Sequence, residues 1–201
     1  MPERVFTSFC DELERTGRRR VLRQIGRPAF GETPLLPGRI LVNGRELVNV
    51  SSNDYLGLSC HPELIVRSAQ WGERWGVGSG ASRLVSGNIE PFAQVEEKLA
   101  SGKGTETALV LVSGYQANVS ILPALLDSRV HGTVPLVFAD RLNHASLHAG
   151  CLAAGVHQIR YRHNDMSHLE ELLEAKASGA ENVPVFILSE TVFSMDGDRA
   201  D

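Results

Sequence analysis

Pro135-Leu136-Val137-Phe138-Ala139-Asp140-Arg141-Leu142-Asn143-His144-Ala145-Ser146 decides how this chain folds. A short apolar run that ends in Asp, Asn and Ser reads as a buried strand delivering a polar tip to the start of a helix. In an open α/β sheet, ligands sit at the carboxyl ends of the strands. His144 is thereby placed at the rim of a pocket, able to stack on a flat ligand or to exchange a proton with it. The alternative at this point is a surface or helix-capping histidine, and a lone imidazole does not decide between the two.

The flanking sequence repeats the pattern. Upstream, a predicted helix over residues 89–100, with Phe92, Val95 and Leu99 on one side, precedes a predicted strand over residues 108–112. That strand ends at Ser113-Gly114-Tyr115-Gln116-Ala117-Asn118, and residues 119–126 continue as an apolar helix. Helix N-termini expose free N–H groups and a partial positive charge, so Ser113 and Gly114 read either as a phosphate seat or as a helix cap with a tight turn. Downstream come a helix to about residue 154, a strand over 157–161, and a helix capped by Asn164 or Asp165 that carries Leu169, Leu172, Leu173 and, late, Lys176. A strand over 183–188 leads into Ser189-Glu190-Thr191-Val192-Phe193-Ser194-Met195-Asp196-Gly197-Asp198.

Strand and helix in alternation argue for an α/β fold with a mainly parallel central sheet and helices on both faces. Parallel strands share a direction, so Gly114, His144 and Ser194 are expected on one edge of the sheet. An anion seat beside an imidazole suited to stacking is what a flat, phosphorylated aromatic cofactor requires.

The N-terminal part is organised differently. Phe6, Phe9, Leu13, Val21 and Leu22 among charges predict a helix from Glu3 to about Gln24, with the basic run Arg18-Arg19-Arg20 on its solvated face. Residues 26–38, rich in Gly and Pro, read as a connector. Asn43-Gly44 between two apolar runs is a strong hairpin signal, because both central residues of a type I′ turn need positive φ. Ser51-Ser52-Asn53-Asp54-Tyr55-Leu56-Gly57-Leu58 crowds hydrogen-bonding side chains after a strand, as an elaborate turn or as a site. Pro62 opens a helix reaching about Trp75. Gly76-Val77-Gly78-Ser79-Gly80-Ala81-Ser82-Arg83 implies backbone with positive φ or a close approach, but no βαβ unit surrounds it and it is not a dinucleotide fingerprint.

Composition narrows the functional classes. The 201 residues are 42% hydrophobic and 22% charged, which suits a globular domain with a sizeable core. A formal net charge of −4 gives no reason to expect nucleic acid or an acidic membrane surface as partner. Cys10, Cys60 and Cys151 are widely separated and lack CxxC spacing, so neither a disulfide framework nor a metal site is indicated. No apolar stretch approaches the roughly twenty residues of a membrane span. With no basic, apolar leader at Met1-Pro2-Glu3, the expected location is the cytoplasm.

Five stretches together carry a resemblance: residues 51–58; Gly78-Ser79-Gly80-Ala81-Ser82-Arg83-Leu84-Val85-Ser86-Gly87; residues 113–118; residues 140–146; and Val192-Phe193-Ser194-Met195-Asp196-Gly197-Asp198. In this order they resemble the pyridoxal-phosphate-dependent α-oxoamine synthases, over nearly the whole chain. The resemblance implies the fold-type I transferase architecture. It also implies a cofactor, pyridoxal 5'-phosphate, whose ring serves as electron sink while the protein aligns and protonates. The implied reaction joins an amino acid to an acyl thioester and releases carbon dioxide and the free thiol carrier.

By position, His144 looks like the family's histidine that stacks on the pyridine ring and contacts the substrate carboxylate, and Ser194 like the serine at the cofactor's phenolic edge. These two are the expected catalytic residues. Ser113, Gly114 and Tyr115 look like the phosphate-side contacts, and Glu190 like part of the site wall. Asn53 resembles the asparagine near the reacting acyl and carboxylate groups, and Arg23 an arginine that binds the acyl substrate. Ser79 and Ser82 lie in a loop that in similar enzymes reaches the active site of the neighbouring subunit, which implies a symmetric homodimer. Alanine with a pimeloyl thioester is the first substrate pair the resemblance implies. Serine with a long-chain acyl thioester, or glycine with a short one, are the alternatives.

The departures also carry expectations. Such enzymes have an aspartate for the pyridine nitrogen, a further histidine and the cofactor-bearing lysine downstream of the serine matched by Ser194. Lys98, Lys103 and Lys176 sit in contexts unlike that lysine. The reading is therefore a truncated chain, residues 1–50 forming an N-terminal helix and hairpin segment and residues 51–201 an incomplete cofactor-binding domain that is inactive alone. A non-catalytic partner subunit is the alternative from another class. Pro91-Phe92 stands where relatives commonly have a histidine.

Overall fold

The computed structural model describes residues 2–28, 38–177, 179 and 182–201, so most of the expected connector over residues 26–38 lies outside the described residues. The chain forms two compact units, Met1–Ile89 and Glu90–Asp201.

In the first unit, helix α1 (Pro2–Arg15) stops well before residue 24. Gly17 adopts φ 66°, and the N–H groups of Arg18 and Arg19 donate to the Leu13 carbonyl at 2.8 and 3.0 Å, a left-handed glycine cap that ends the helix. Arg18, Arg19, Arg20 and Arg23 therefore lie in irregular, exposed chain and not on a helix, with Arg19 paired to Glu14 at 2.6 Å. Strands β1 (Ile25–Gly26), β2 (Arg39–Val42) and β3 (Arg45–Val48) form an antiparallel sheet in that order. The β2–β3 turn has Asn43 at φ 51° and Gly44 at φ 75°, as a type I′ turn demands. Helix α2 (Pro62–Trp75) has Pro62 at its first position, where a missing N–H costs nothing. In the glycine-rich segment both expected devices occur: Gly76 and Gly80 have φ of 76° and 69°. A Cβ on Gly87 would stand 1.8 Å from the Ala81 carbonyl oxygen.

The second unit begins with helices α3 (Glu90–Lys103), α4 (Gly114–Leu125) and α5 (Ser128–His131). Strand β4 (Leu136–Asp140), helix α6 (Ala145–Ala153), strand β5 (Gln158–Tyr161), helix α7 (Met166–Ala177) and strand β6 (Val185–Leu188) then alternate. The sheet is parallel, in the order β5-β4-β6, with Phe138 opposite both Ile159 and Ile187. Central β4 buries Val137, Phe138, Ala139 and Asp140 completely.

The two-residue period of the strand splits its side chains between two cores. Val137 packs with Leu122, Leu126, Cys151 and Val156 under α4 and α6. Phe138 packs with Tyr161 and Leu169 on the opposite face, under α7. Burying each such side chain contributes about 1.5–3 kcal/mol. Helices thus cover both faces, as an alternating βα sequence requires. Among the described residues no helix is long and apolar enough to cross a membrane.

The strand expected over residues 108–112 is not there. These residues join no ladder among the described residues, the Val110 N–H donates to Glu96 Oε1 at 2.8 Å, and Leu109 and Val112 are 68% and 90% exposed. Apolar, β-branched composition favours a strand, but only a neighbour's hydrogen bonds make one.

Candidate functional site

At the tip of β4 the chain makes a tight, tied-down turn. The Asp140 carboxylate accepts the Leu142 N–H at 2.8 Å, and the Asn143 N–H donates to the Asp140 carbonyl at 3.2 Å. Asn143 is buried and its Nδ2 donates to the Leu188 carbonyl at 2.9 Å, fastening this turn to the end of β6. His144 follows as the exposed N-cap of α6, its Nδ1 accepting the Ser146 N–H. Its own N–H donates to the Glu190 carboxylate from the segment after β6. Glu190 and His144 are therefore brought together, and the capping reading of His144 holds alongside its place at the strand edge.

The N-terminus of α4 lies next to this turn. Ser113 is the N-cap, its Oγ accepting the Gln116 N–H at 3.1 Å. The first helical bond runs from the Ala117 N–H to the Ser113 carbonyl at 2.9 Å, so the Gly114 and Tyr115 N–H groups precede the helical ladder. Nothing stands within 4 Å of where a Gly114 Cβ would project, which leaves that end of the helix open. The Tyr115 ring meets the His144 ring edge-on, with centroids 6.4 Å apart. Asn118, one turn on, donates Nδ2–H to the Ser146 Oγ at 2.9 Å. The close crossing of α4 and α6 depends on Gly150, where a Cβ would lie 2.7 Å from the Asn118 carbonyl oxygen.

Ser194 sits on the loop that follows β6, exposed, beside the fully buried Phe193. That loop closes on itself: the Phe193 N–H donates to the Asp198 carbonyl and the Gly197 N–H to the Phe193 carbonyl, both at 2.8 Å. His163 clamps it to the sheet edge. Its Nδ1–H donates to Asp140 at 2.9 Å and its Nε2–H to Asp198 at 2.7 Å, with the ring edge-on to Phe193 at 4.5 Å. Asn164 adds bonds from its N–H to Asp140 at 3.0 Å and from Nδ2 to Asp198 at 3.0 Å.

Two carboxylates facing both ring nitrogens favour the imidazolium, and the hydrogen bonds to Asp140 first and Asp198 second raise the His163 pKa above 6.5. Burial pushes the Asp140 carboxyl up, but the N–H groups of Leu142 and Asn164 and the His163 ring together hold it below 3.8. Burial raises the pKa of the Tyr161 hydroxyl, against a hydrogen bond with Ser189.

Arg23, Asn53, Ser79 and Ser82 belong to the first unit. Arg23 and Asn53 are exposed in irregular chain. Ser79 donates Oγ–H to the Ala81 carbonyl at 3.1 Å. The Ser82 carbonyl accepts the N–H groups of Val85 and Gly87, at 3.0 and 2.9 Å, which folds the glycine-rich loop back on itself.

In the sequence Asn164 and Asp165 read only as helix caps, and His163, Asp140, Asn118 and Ser146 are not singled out as members of the site. The available signal was position: His163-Asn164-Asp165 follows a strand parallel to β4 and so had to arrive at the same edge. The assembled group can seat an anion against main-chain N–H groups at the head of α4 and present an imidazole face beside it.

A family profile described as aminotransferase class I and II matches residues 45–201. A putative 8-amino-7-oxononanoate synthase of Magnetococcus marinus is 55% identical over 200 residues, covering 100% of this chain and 48% of that protein. The 8-amino-7-oxononanoate synthase of Gluconacetobacter diazotrophicus is 53% identical over 198 residues, covering 98% of this chain and 48% of that protein. Among solved structures, the serine palmitoyltransferase of S. paucimobilis with a bound PLP–myriocin adduct superposes with a TM-score of 0.77 at 25% identity, over 97% of this chain and 46% of that one. The chain spans about half the length of the curated relatives it matches.

Proposed function

Since the chain belongs to the aminotransferase class I and II family and has the fold of the fold-type I transferases, we propose that the full-length protein is a cytoplasmic 8-amino-7-oxononanoate synthase. It condenses L-alanine with a pimeloyl thioester and releases carbon dioxide and the free thiol. The observation that carries this reading is the pairing of the open α4 N-terminus with the His144 ring at one sheet edge, in a chain 53% identical to a protein of that name.

The residues present fit pyridoxal 5'-phosphate. Gly114 leaves open space at a helix head whose first N–H groups await an acceptor, which suits a phosphate, and the exposed His144 ring suits a flat heterocycle. Ser113, Gly114 and Tyr115 would hold the phosphate, His144 would stack on the ring, and Ser194 and Glu190 would border it. When bound, the cofactor supplies an electron-accepting ring for charge developing at the amino acid Cα.

In this proposal His144 also holds the substrate carboxylate, Asn53 serves the reacting acyl and carboxylate groups, and Arg23 binds the acyl substrate. Ser79 and Ser82 serve the neighbouring subunit of a homodimer. Residues 1–50 form the segment preceding a cofactor-binding region that starts at residue 51. Lys98 and Lys103 lie on α3 and Lys176 in the last turn of α7, so none stands at the carboxyl end of a strand of the parallel sheet, and the cofactor-bearing lysine is expected elsewhere in the full-length protein.

The test is to supply the full-length protein with cofactor, L-alanine and pimeloyl-CoA, and to measure carbon dioxide and free thiol. Release of both in equal amounts is expected. Turnover with serine and a long-chain acyl thioester in place of this pair would move the assignment to a palmitoyltransferase-like enzyme, and no turnover with any pair would overturn it.

A further inference from the structure

Asn118 and Ser146, which the proposed chemistry leaves unused, stand behind His144. Ser146 is fully buried, and its Oγ lies 2.7 Å from His144 Nδ1. Its main-chain N–H donates to the same Nδ1 at 3.2 Å. The direction of that bond is fixed, because a peptide nitrogen can only donate. Nδ1 must present its lone pair, and in the neutral imidazole the ring proton then sits on Nε2. The Asn118 amide acts in the same sense: with Nδ2–H directed at Oγ, at 2.9 Å, the Ser146 hydroxyl proton turns toward Nδ1. A helix cap needs only the main-chain N–H. The buried hydroxyl and an amide from 28 residues upstream go beyond capping.

We propose that Asn118 and Ser146 are positioning residues that fix the tautomer and tilt of His144, so that Nε2–H is the donor offered to the carboxylate of the amino acid substrate. This rests on the reading of His144 given under Proposed function. The opposite tautomer would set a lone pair against an anion and leave the Ser146 N–H without its acceptor.

Long-range 1H–15N correlation spectra of the full-length protein labelled at histidine, without cofactor and at alkaline pH, read the tautomer directly. A protonated Nε2 and a hydrogen-bonded, unprotonated Nδ1 are expected for His144. Ser146→Ala and Asn118→Asp should each shift the Nδ1 resonance downfield, and Ser146→Thr should restore it. In the holoenzyme, Ser146→Ala should weaken L-alanine binding, followed by cofactor absorbance, by about tenfold, a loss equivalent to one well-placed hydrogen bond. An Nδ1–H tautomer in the wild type, or an Nδ1 resonance unmoved in both variants, overturns the proposal. A moved resonance with unchanged alanine affinity overturns the carboxylate assignment. Failure of the wild type to bind alanine or cofactor would fail the functional reading instead, since the tautomer is read without either.

Discussion

Asp140 shows how a single buried charge can organise a strand end. It is completely buried, yet it accepts hydrogen bonds from two main-chain N–H groups and from the His163 ring, so its negative charge is compensated on every side. Asp140→Asn keeps the shape and removes the charge. It should destabilise the fold by about 1.5–3 kcal/mol, the usual worth of a hydrogen bond to a charged group, measured by denaturant unfolding. The pH dependence has two limbs. His163 has its pKa raised above 6.5, so its contribution is complete below 6.5 and is lost as pH rises through the raised value. Asp140 is held below 3.8, so its contribution is present above 3.8 and is lost as pH falls through the depressed value. Unfolding midpoints followed across pH should lose the alkaline limb selectively in His163→Gln. Parallel profiles for wild type and variant would refute the clamp's titration.

Among the elements, the α4–α6 crossing and the glycine-rich loop make the firmest demands on sequence. Gly150→Ala places a Cβ 2.7 Å from both the Asn118 carbonyl and Leu122 Cδ1, and prising the helices apart should cost about 1–3 kcal/mol in thermal or denaturant unfolding. The same shift moves Asn118 away from Ser146, so Gly150→Ala should also disturb the His144 Nδ1 resonance. Element by element, legibility followed how local each cause is. Strand β4 was readable because four consecutive buried positions end in a polar tip, and the β2–β3 hairpin because Asn43-Gly44 carries its own turn chemistry. Residues 108–112 misled because their composition suits a strand whose hydrogen-bond partners composition cannot supply. The early end of α1 was signalled by Gly17, which the apolar spacing of Val21 and Leu22 outweighed. The His163 clamp joins residues 23 and 35 positions apart, and no spacing rule reaches that far.

Across the whole molecule, the parallel sheet gathers the functional candidates of the second unit at one edge. His144 and Glu190 meet there through a hydrogen bond, Tyr115 meets the His144 ring, and the Ser194 loop is pinned to the same edge through His163. In the sequence, strand direction alone implies that shared edge; for Gly114 the expected strand is missing, and the packing of α4 against α6 delivers the residue instead. On the proposed function, this edge receives a phosphorylated ring. A crystal structure of the full-length protein grown with pyridoxal 5'-phosphate tests it most directly. The phosphate is expected against the Gly114 and Tyr115 N–H groups, with the ring lying on His144 and its phenolic oxygen toward Ser194; a phosphate bound away from the head of α4, or a ring that leaves His144 untouched, would overturn this placement.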